Sequence, residues 1–359
     1  MKLDLLEIQN FRNIKQATIS DTLRVNLLVG KNGSGKTSVL EAIYFLGMAR
    51  SFRTAHSSQL IQHGEKSFLL FSRINKQSNP AQVGIEKNAD CTVLRVNGDN
   101  VKNNSLLAKI LPVQIINTNV HELIEDGPGY RRRYIEWGVF HVKHSYGELS
   151  ARLRHILKQR NFGLKKHLPR SEMKHWDTEL VIVANEIHDH RASYFEELLP
   201  FILGLLAKQN ILPPLNFVYR RGWPEEKDYL SVLEENWHSD LGNGYTRYGP
   251  HKANITIKSN GHFAKDVLSR GQQKLLACIL RLAQINYFRH VSDEQVILLV
   301  DDLAAELDTE LRGFVLREAI TSGAQVFVTA TEEEMLDMEN IGAPYRMFHV
   351  KHGTLKTVL

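Results

Sequence analysis

The segment Gly30-Lys31-Asn32-Gly33-Ser34-Gly35-Lys36-Thr37 has the spacing G-x-x-x-x-G-K-[ST], and no other stretch constrains the fold as much. A loop that wraps a phosphate chain must turn several backbone N–H groups inward, and Gly30, Gly33 and Gly35 permit that close approach. In such a loop Lys36 reaches the β- and γ-phosphates, and the Thr37 hydroxyl ligates the Mg²⁺ that bridges them. Lys31, Asn32 and Ser34 contribute the remaining backbone of the cradle. The flanks agree: Val25–Val29 is an apolar run suited to a buried strand, and Ser38–Leu46 reads as a helix whose positive N-terminal end favours anions. A Gly-rich turn would require neither flank.

A chain of 359 residues exceeds what one core usually supports, so two lobes are expected. Its 43% hydrophobic and 24% charged content are ordinary for a soluble globular protein and imply no large disordered region. The net charge of +5 is compatible with a nucleic-acid partner but does not require one. Two cysteines, Cys91 and Cys278, match no disulfide framework or zinc spacing, so a reducing cytoplasm is the expected setting. The first residues lack the basic and apolar regions of a signal peptide. The longest apolar run, Leu198–Ala207, contains Pro200 and is far shorter than the ~20 residues needed to cross a bilayer, so no membrane association is expected.

Periodicity organises the rest. Leu3–Ile8 and Lys15–Ile19 alternate as strands, and Phe68–Ile74, Gln82–Glu86 and Thr92–Val96 read as a meander ending at the turn Asn97-Gly98. Ser105–Ile110 reads as a short helix and Val113–Ile116 as a strand returning to the sheet. After residue 117 the β pattern stops, and two long amphipathic helices over 143–166 and 175–208 predict an antiparallel arm. From about 244 strands alternate with helices again, ending in the apolar strands Gln295–Val300 and Gln325–Thr329, which implies a parallel sheet covered by helices. The expected fold is therefore α/β, with a discontinuous nucleotide lobe (1–116 and 244–359) and an inserted helical lobe (117–243).

Two further stretches carry chemistry. The strand Val296–Val300 ends in Asp301-Asp302. Beside a phosphate loop, Asp301 is placed to hold Mg²⁺, usually through water, and Asp302 to orient or deprotonate an attacking water; paired aspartates can also simply end a strand. The second stretch, Leu268-Ser269-Arg270-Gly271-Gln272-Gln273-Lys274, opens a helix. Ser269 would serve as an N-cap in any protein. Its position ahead of the Asp-Asp strand, however, is that of the signature motif of ABC-type ATPases, which Ser269, Gly271 and Gln272 resemble. Ala305-Glu306-Leu307-Asp308 similarly resembles the loop that crosses the dimer interface in that family.

Taken whole, the chain resembles the RecF family of bacterial recombination-mediator ATPases, relatives of the SMC proteins. The resemblance rests on Leu5–Asn13, Gly127-Pro128-Gly129-Tyr130-Arg131-Arg132-Arg133, Trp137–His141, Leu157–Asn161, Gly249-Pro250-His251-Lys252 and Leu268–Lys274. It implies an ABC-type P-loop ATPase head with an inserted α-helical arm, ATP and Mg²⁺ as ligands, and an ATP-dependent homodimer. In that dimer the signature helix of one copy faces the γ-phosphate held by the other. It further implies duplex-DNA binding, slow hydrolysis, and cooperation with RecR and RecO in loading RecA at gaps. Arg12 and Asn13 would lie near the nucleotide, and Gln114 would sense Mg²⁺ or water, although a lone Gln in an apolar strand can be an ordinary edge residue. Two departures stand out: Asp302 replaces the usual catalytic glutamate, and Thr329-Ala330-Thr331 stands where a switch histidine is expected. Both predict a slow ATPase that acts as a timer.

Between Arg152 and Lys174 there are eight Lys or Arg residues and a single acid, Glu172. Such a run is either a solvated helix face or a phosphate-contacting surface. Arg154, Lys158 and Lys165, with the cluster Arg131-Arg132-Arg133, are the expected DNA contacts, and no aromatic interleaving points to base stacking. A transporter ATPase subunit would have a far shorter insert, and a small-molecule kinase needs no signature helix. An architectural SMC-like protein needs long heptad arms. The histidines lack the company of a zinc site.

Overall fold

The computed structural model describes residues 1–76, 80–292, 294–302, 307–332 and 343–358. They form two compact units, residues 1–120 with 274–359, and residues 121–273.

The first unit contains two six-stranded sheets. One is antiparallel, in the order β2-β1-β4-β5-β6-β7, from β1 (Lys2–Phe11), β2 (Ile14–Ile19), β4 (Ser67–Asn75), β5 (Ala81–Asn88), β6 (Thr92–Val96) and β7 (Asp99–Val101). The other has the order β15-β14-β3-β13-β12-β8, with β3 (Val25–Val29), β8 (Val113–Ile116), β12 (Ile297–Val300), β13 (Gln325–Ala330), β14 (Tyr345–Lys351) and β15 (Thr354–Thr357). Its strands run parallel except for the edge hairpin β14–β15. Every residue of β3 is buried, as a strand flanked on both sides in a covered parallel sheet should be. The one polar side chain there, Asn26, is satisfied by the carbonyls of Leu23 (2.7 Å) and Val326 (3.3 Å).

The helix Lys36–Met48 lies in the core shared by the two sheets. Val39, Leu40, Ile43 and Leu46 join Leu6, Phe11, Phe68 and Leu70 from the antiparallel sheet and Leu28, Leu299, Phe327 and Phe348 from the parallel one. A helix with apolar contacts on both sides is held rigidly, which fixes the loop at its N-terminus.

The second unit holds the expected antiparallel arm, helices Tyr146–Lys165 and Arg170–Leu206, together with the helix Pro128–Val142. Close crossing at the arm tip requires Gly163, where a Cβ would sit 2.5 Å from Met173 Sδ. The boundary expected at 244 falls instead after Gln273. The reason is strand pairing: β10 (Asn254–Ser259) lies between β9 (Asn216–Arg220) and β11 (His262–Phe263) in a three-stranded sheet, so residues 244–273 belong with the insert.

Two arginines are buried in this unit. Arg160, one of the eight basic residues of the arm, is fully buried and bonds Asp177 (2.6 Å), Asp240 (2.8 Å) and Thr246 (2.8 Å). Arg191 donates to Tyr146 Oη (2.7 Å), Pro250 O (2.7 Å) and Glu136 Oε1 (2.9 Å), which ties the segment Gly249–Lys252 to the arm. Truncating Arg191 strands the buried Pro250 carbonyl and removes one partner of the buried Tyr146 hydroxyl. Arg191→Met is therefore expected to destabilise this unit by about 3 kcal/mol, read as a lower urea midpoint.

Candidate functional site

The phosphate loop has the backbone its glycines predict. Gly33 (φ 78°) and Gly35 (φ 118°) are left-handed, and a Cβ on Gly30 would lie 2.2 Å from Val350 O. The helix Lys36–Met48 has no side-chain cap and no acid in its first turn, so its N–H groups stay available to an anion. Among the described residues, the buried Ser34 hydroxyl has no hydrogen-bond partner. Lys36 Nζ donates to the carbonyls of Gly30 and Lys31. Burial lowers the Lys36 pKa, while Asp302 and Asp301 act to raise it.

β12 delivers Asp301 to this loop because it runs parallel to β13, which in turn pairs with β3. Thr37 Oγ1 donates to Asp301 Oδ1 at 3.0 Å, and Thr329 Oγ1 donates to the same oxygen at 2.9 Å. Asp302, left-handed at φ 53°, donates its N–H to Thr329 Oγ1 (2.9 Å). Burial raises the Asp301 pKa; the two threonine donors and the charge of Arg53 oppose that shift, and Asp302 adds to it. Thr329 thus ties both aspartates together at the position where a histidine was expected. Ala305 and Glu306 lie outside the described residues, while Asp308 caps the helix Thr309–Thr321 through Leu311 N (2.9 Å).

Asn13 reaches the loop directly: its Nδ2 donates to Gly33 O (3.1 Å) and its Oδ1 accepts from Ser38 Oγ (2.8 Å). Arg12 does not project into the loop. Its guanidinium makes two 2.9 Å bonds to the fully buried Glu41, anchoring the β1–β2 turn to the loop's helix. Arg53, which the motifs did not single out, lies 3.8 Å from Glu41, half exposed, and within electrostatic reach of Asp301. Only the fold brings it there.

Gln114 requires correction. It faces Leu298 in register, three residues before Asp301, and is 2% exposed. Its Nε2 donates to Gln284 (3.0 Å) and its Oε1 accepts from Arg281 (2.8 Å). Both ends of this mid-strand glutamine are engaged by the helix Arg270–Ser292, away from the Asp301 end of the strand. The register ends with Ile116 opposite Val300, and the Ile116 carbonyl accepts the Asp301 N–H (2.8 Å).

In the second unit, Ser269 and Gln272 form a reciprocal capping box: Ser269 N–H donates to Gln272 Oε1 (3.0 Å) and Gln272 N–H to Ser269 Oγ (3.3 Å). Ser269 is exposed, and a Cβ on Gly271 would meet nothing within 4 Å, so this helix start is open. Of the basic residues, Arg154, Lys158 and Lys165 are exposed and fall on one stripe of the arm helix. Arg131 and Arg132, expected as DNA contacts, are engaged within the protein. Arg131 bonds Asn254 Oδ1 (2.9 Å) and the carbonyls of Leu123, Ile124 and Asp126, while Arg132 bonds Ala253 O (3.1 Å). Arg133 remains exposed, 4.2 Å from the Tyr130 ring. The basic stripe does include an aromatic, Phe162, which is 60% exposed with Lys166 Nζ 5.9 Å from its ring.

Residues 2–356 match the family described as RecF/RecN/SMC N terminal domain. The DNA replication and repair protein RecF of Shewanella sediminis is 40% identical over 359 residues, covering 100% of both chains. That of Shewanella oneidensis is 37% identical over the same length. The chain belongs to the RecF family. A solved structure titled as recombination mediator protein RecF-ATP in the RecFOR pathway has the same fold, with a TM-score of 0.89 at 24% identity over 99% of this chain and 97% of that one. An SMC head bound to the C-winged helix domain of ScpA shares the fold more distantly, at a TM-score of 0.60 and 16% identity over 100% of this chain and 98% of that chain. The RecF match runs through the insert as well as the head, and neither a transporter ATPase subunit nor a small-molecule kinase calls for that insert. Among the described residues, no helix is long and apolar enough to cross a membrane.

Proposed function

We propose that this chain is a slow, DNA-stimulated ATPase of recombinational repair, in which ATP binding closes a homodimer on DNA and hydrolysis resets it. The observation that carries this reading is the meeting of Thr37, Asp301 and Thr329 at the mouth of the phosphate loop, in a chain whose signature-like helix start lies open. The residues suit Mg²⁺ with ATP: a buried hydroxyl on Ser34 with no partner among the described residues, left-handed glycines at 33 and 35, and the Thr37–Asp301 oxygen pair. Thr37 and Asp301 would hold the metal, which neutralises charge on the β- and γ-phosphates. Lys36 exchanges the carbonyls of Gly30 and Lys31 for phosphate oxygens. Asp302 orients the attacking water, and its short side chain on a strained left-handed backbone makes that activation slow. Ser269, Gly271 and the helix dipole, contributed by a second copy, favour a triphosphate over a diphosphate.

DNA is held through phosphate contacts from Arg154, Lys158, Lys165 and Arg133, the four cations of the expected set that stay exposed. Neutralising about four phosphates gives a slope of log K against log salt near −3.6. Changing Arg154, Lys158 and Lys165 together to Glu should weaken duplex binding at least ten-fold at low salt and flatten the slope by about 2.7. Unchanged anisotropy titrations would remove the arm as the DNA surface. Membership of the RecF family supports duplex DNA at gaps as the target, RecR and RecO as the mediator partners, and RecA loading as the outcome. Light scattering with ATP, ADP and duplex DNA tests the central reading: dimer mass should appear only with the triphosphate.

A further inference from the structure

The arm and the signature-like helix start meet at one turn of the second unit. The long arm helix ends at Leu206, and Pro213-Pro214 keep it from resuming a turn later. Between these points Gln209 organises the backbone with both ends of its side chain. Its Nε2 donates to the carbonyl of Leu206 (3.1 Å), the last residue of the helix, and its Oε1 accepts from two backbone groups, Ile211 N–H (2.7 Å) and Leu212 N–H (2.9 Å). The Ile211 carbonyl in turn accepts from Gln272 Nε2 at 2.9 Å, across 61 residues of sequence. Gln272 Oε1 holds Ser269 N–H in the capping box described above. Both amides have a defined orientation, because a backbone N–H only donates and a carbonyl only accepts.

A glutamine just past a helix needs no further role to explain one bond to a free carbonyl. Gln209 does more than that, because its Oε1 fixes the turn at Ile211 and Leu212 rather than the helix, and the Ile211 carbonyl presented by that turn anchors the Gln272 side chain. Gln273, the next residue, is anchored within its own segment, to the carbonyls of Lys265 (3.1 Å) and Leu268 (3.0 Å). Gln272 thus uses one planar amide both to cap Ser269 and to hold the end of the arm. The two atoms of that amide move together. If the Ile211 carbonyl shifts, Gln272 must lose either that bond or the one to Ser269, since hydrogen bonds weaken steeply off their geometry.

We propose that Gln209 is a positioning residue for the ATP-dependent dimer: it holds the Ile211 carbonyl that sets Gln272, and so aligns Ser269 of each copy with the triphosphate bound by the other. This rests on the two-copy reading given above. The test compares the full chain as wild type, Gln209→Leu and Gln209→Glu, by light scattering over a dilution series with ATPγS and Mg²⁺, beside melting temperatures and ATPγS binding to the monomer. Leucine removes both polar ends of the side chain. Glutamate keeps the acceptor that holds Ile211 and Leu212, loses the donor to Leu206, and puts a charge at the negative end of the helix. Gln209→Leu should weaken dimerisation about ten-fold while its monomer binds ATPγS as wild type does. Gln209→Glu should dimerise like wild type although its melting temperature falls. Dimerisation then follows the acceptor atom and stability does not, a separation that a merely structural glutamine would not give. Wild-type dimerisation by Gln209→Leu, or an equal loss in both variants, overturns the proposal. A wild type that stays monomeric with ATPγS overturns the two-copy reading itself and the proposal with it, a failure distinguishable from the other two.

Discussion

Asp301→Asn is expected to cut ATP turnover by about 10²-fold or more and at the same time raise the melting temperature of the nucleotide-free protein. Both effects follow from one geometry. The hydroxyls of Thr37 and Thr329 donate to the same oxygen, Oδ1, which an asparagine amide retains. The substitution therefore removes the charge and keeps the hydrogen bonds. That charge is needed for a divalent cation, but in its absence it is a buried carboxylate whose pKa burial has raised. Such a group binds its proton more tightly in the fold than in the unfolded chain. Its stabilising contribution is fully present below the ordinary carboxylate range and is lost as pH rises through the folded value. Wild type should accordingly lose stability over that window relative to Asp301→Asn, and the two melting curves should converge in acid. A variant that is both inactive and less stable near pH 7 would show that Asp301 serves the fold rather than the metal.

Ser269→Arg is expected to abolish the ATP-dependent dimer while each chain still binds ATP. In the free protein the Ser269 hydroxyl caps Gln272 N–H, so its loss costs about 1 kcal/mol locally, too little to unfold the insert. Its larger consequence is steric, because a long side chain fills the space in which the open helix start would receive a triphosphate held by another copy. Light scattering should give monomer mass with ATP at concentrations where wild type is dimeric, a loss of more than 10²-fold in dimer affinity if the shared site is the main contact. Ser269→Ala, which removes the hydroxyl alone, should give an intermediate loss. If Ser269→Arg dimerises as wild type does, the two-copy site is wrong, whatever the state of Lys36.

Legibility in the sequence followed the locality of the signal. The phosphate loop, the Asp-Asp strand end and the Ser-x-Gly-Gln helix start each compress their chemistry into a few adjacent residues, and the structure gives each the local form that its residues require. Gln114 was assigned by resemblance alone, and its register, three residues short of Asp301, is fixed by pairing with β12, which no local window shows. Arg131 and Arg132 were expected as DNA contacts, and Arg160 was counted in the arm's basic run, because a basic run looks the same whether or not backbone carbonyls and aspartates come to meet it. The boundary at 244 was missed for the same reason: β10 finds its partner in β9, more than thirty residues earlier.

The sequence by itself determined a glycine loop with phosphate-binding spacing between a buried strand and a helix, and a helical insert that interrupts the lobe that carries it. Spacing and 3.6-residue periodicity are local properties, and they survive without knowledge of the partner elements. Tertiary structure alone decided which side chains reach the loop. Thr329 ties the two aspartates, Arg53 and Arg12 share Glu41, and the turn at His352 closes on Ser34 from more than three hundred residues away. Those neighbours are set by strand order and helix packing, which no single window of sequence contains.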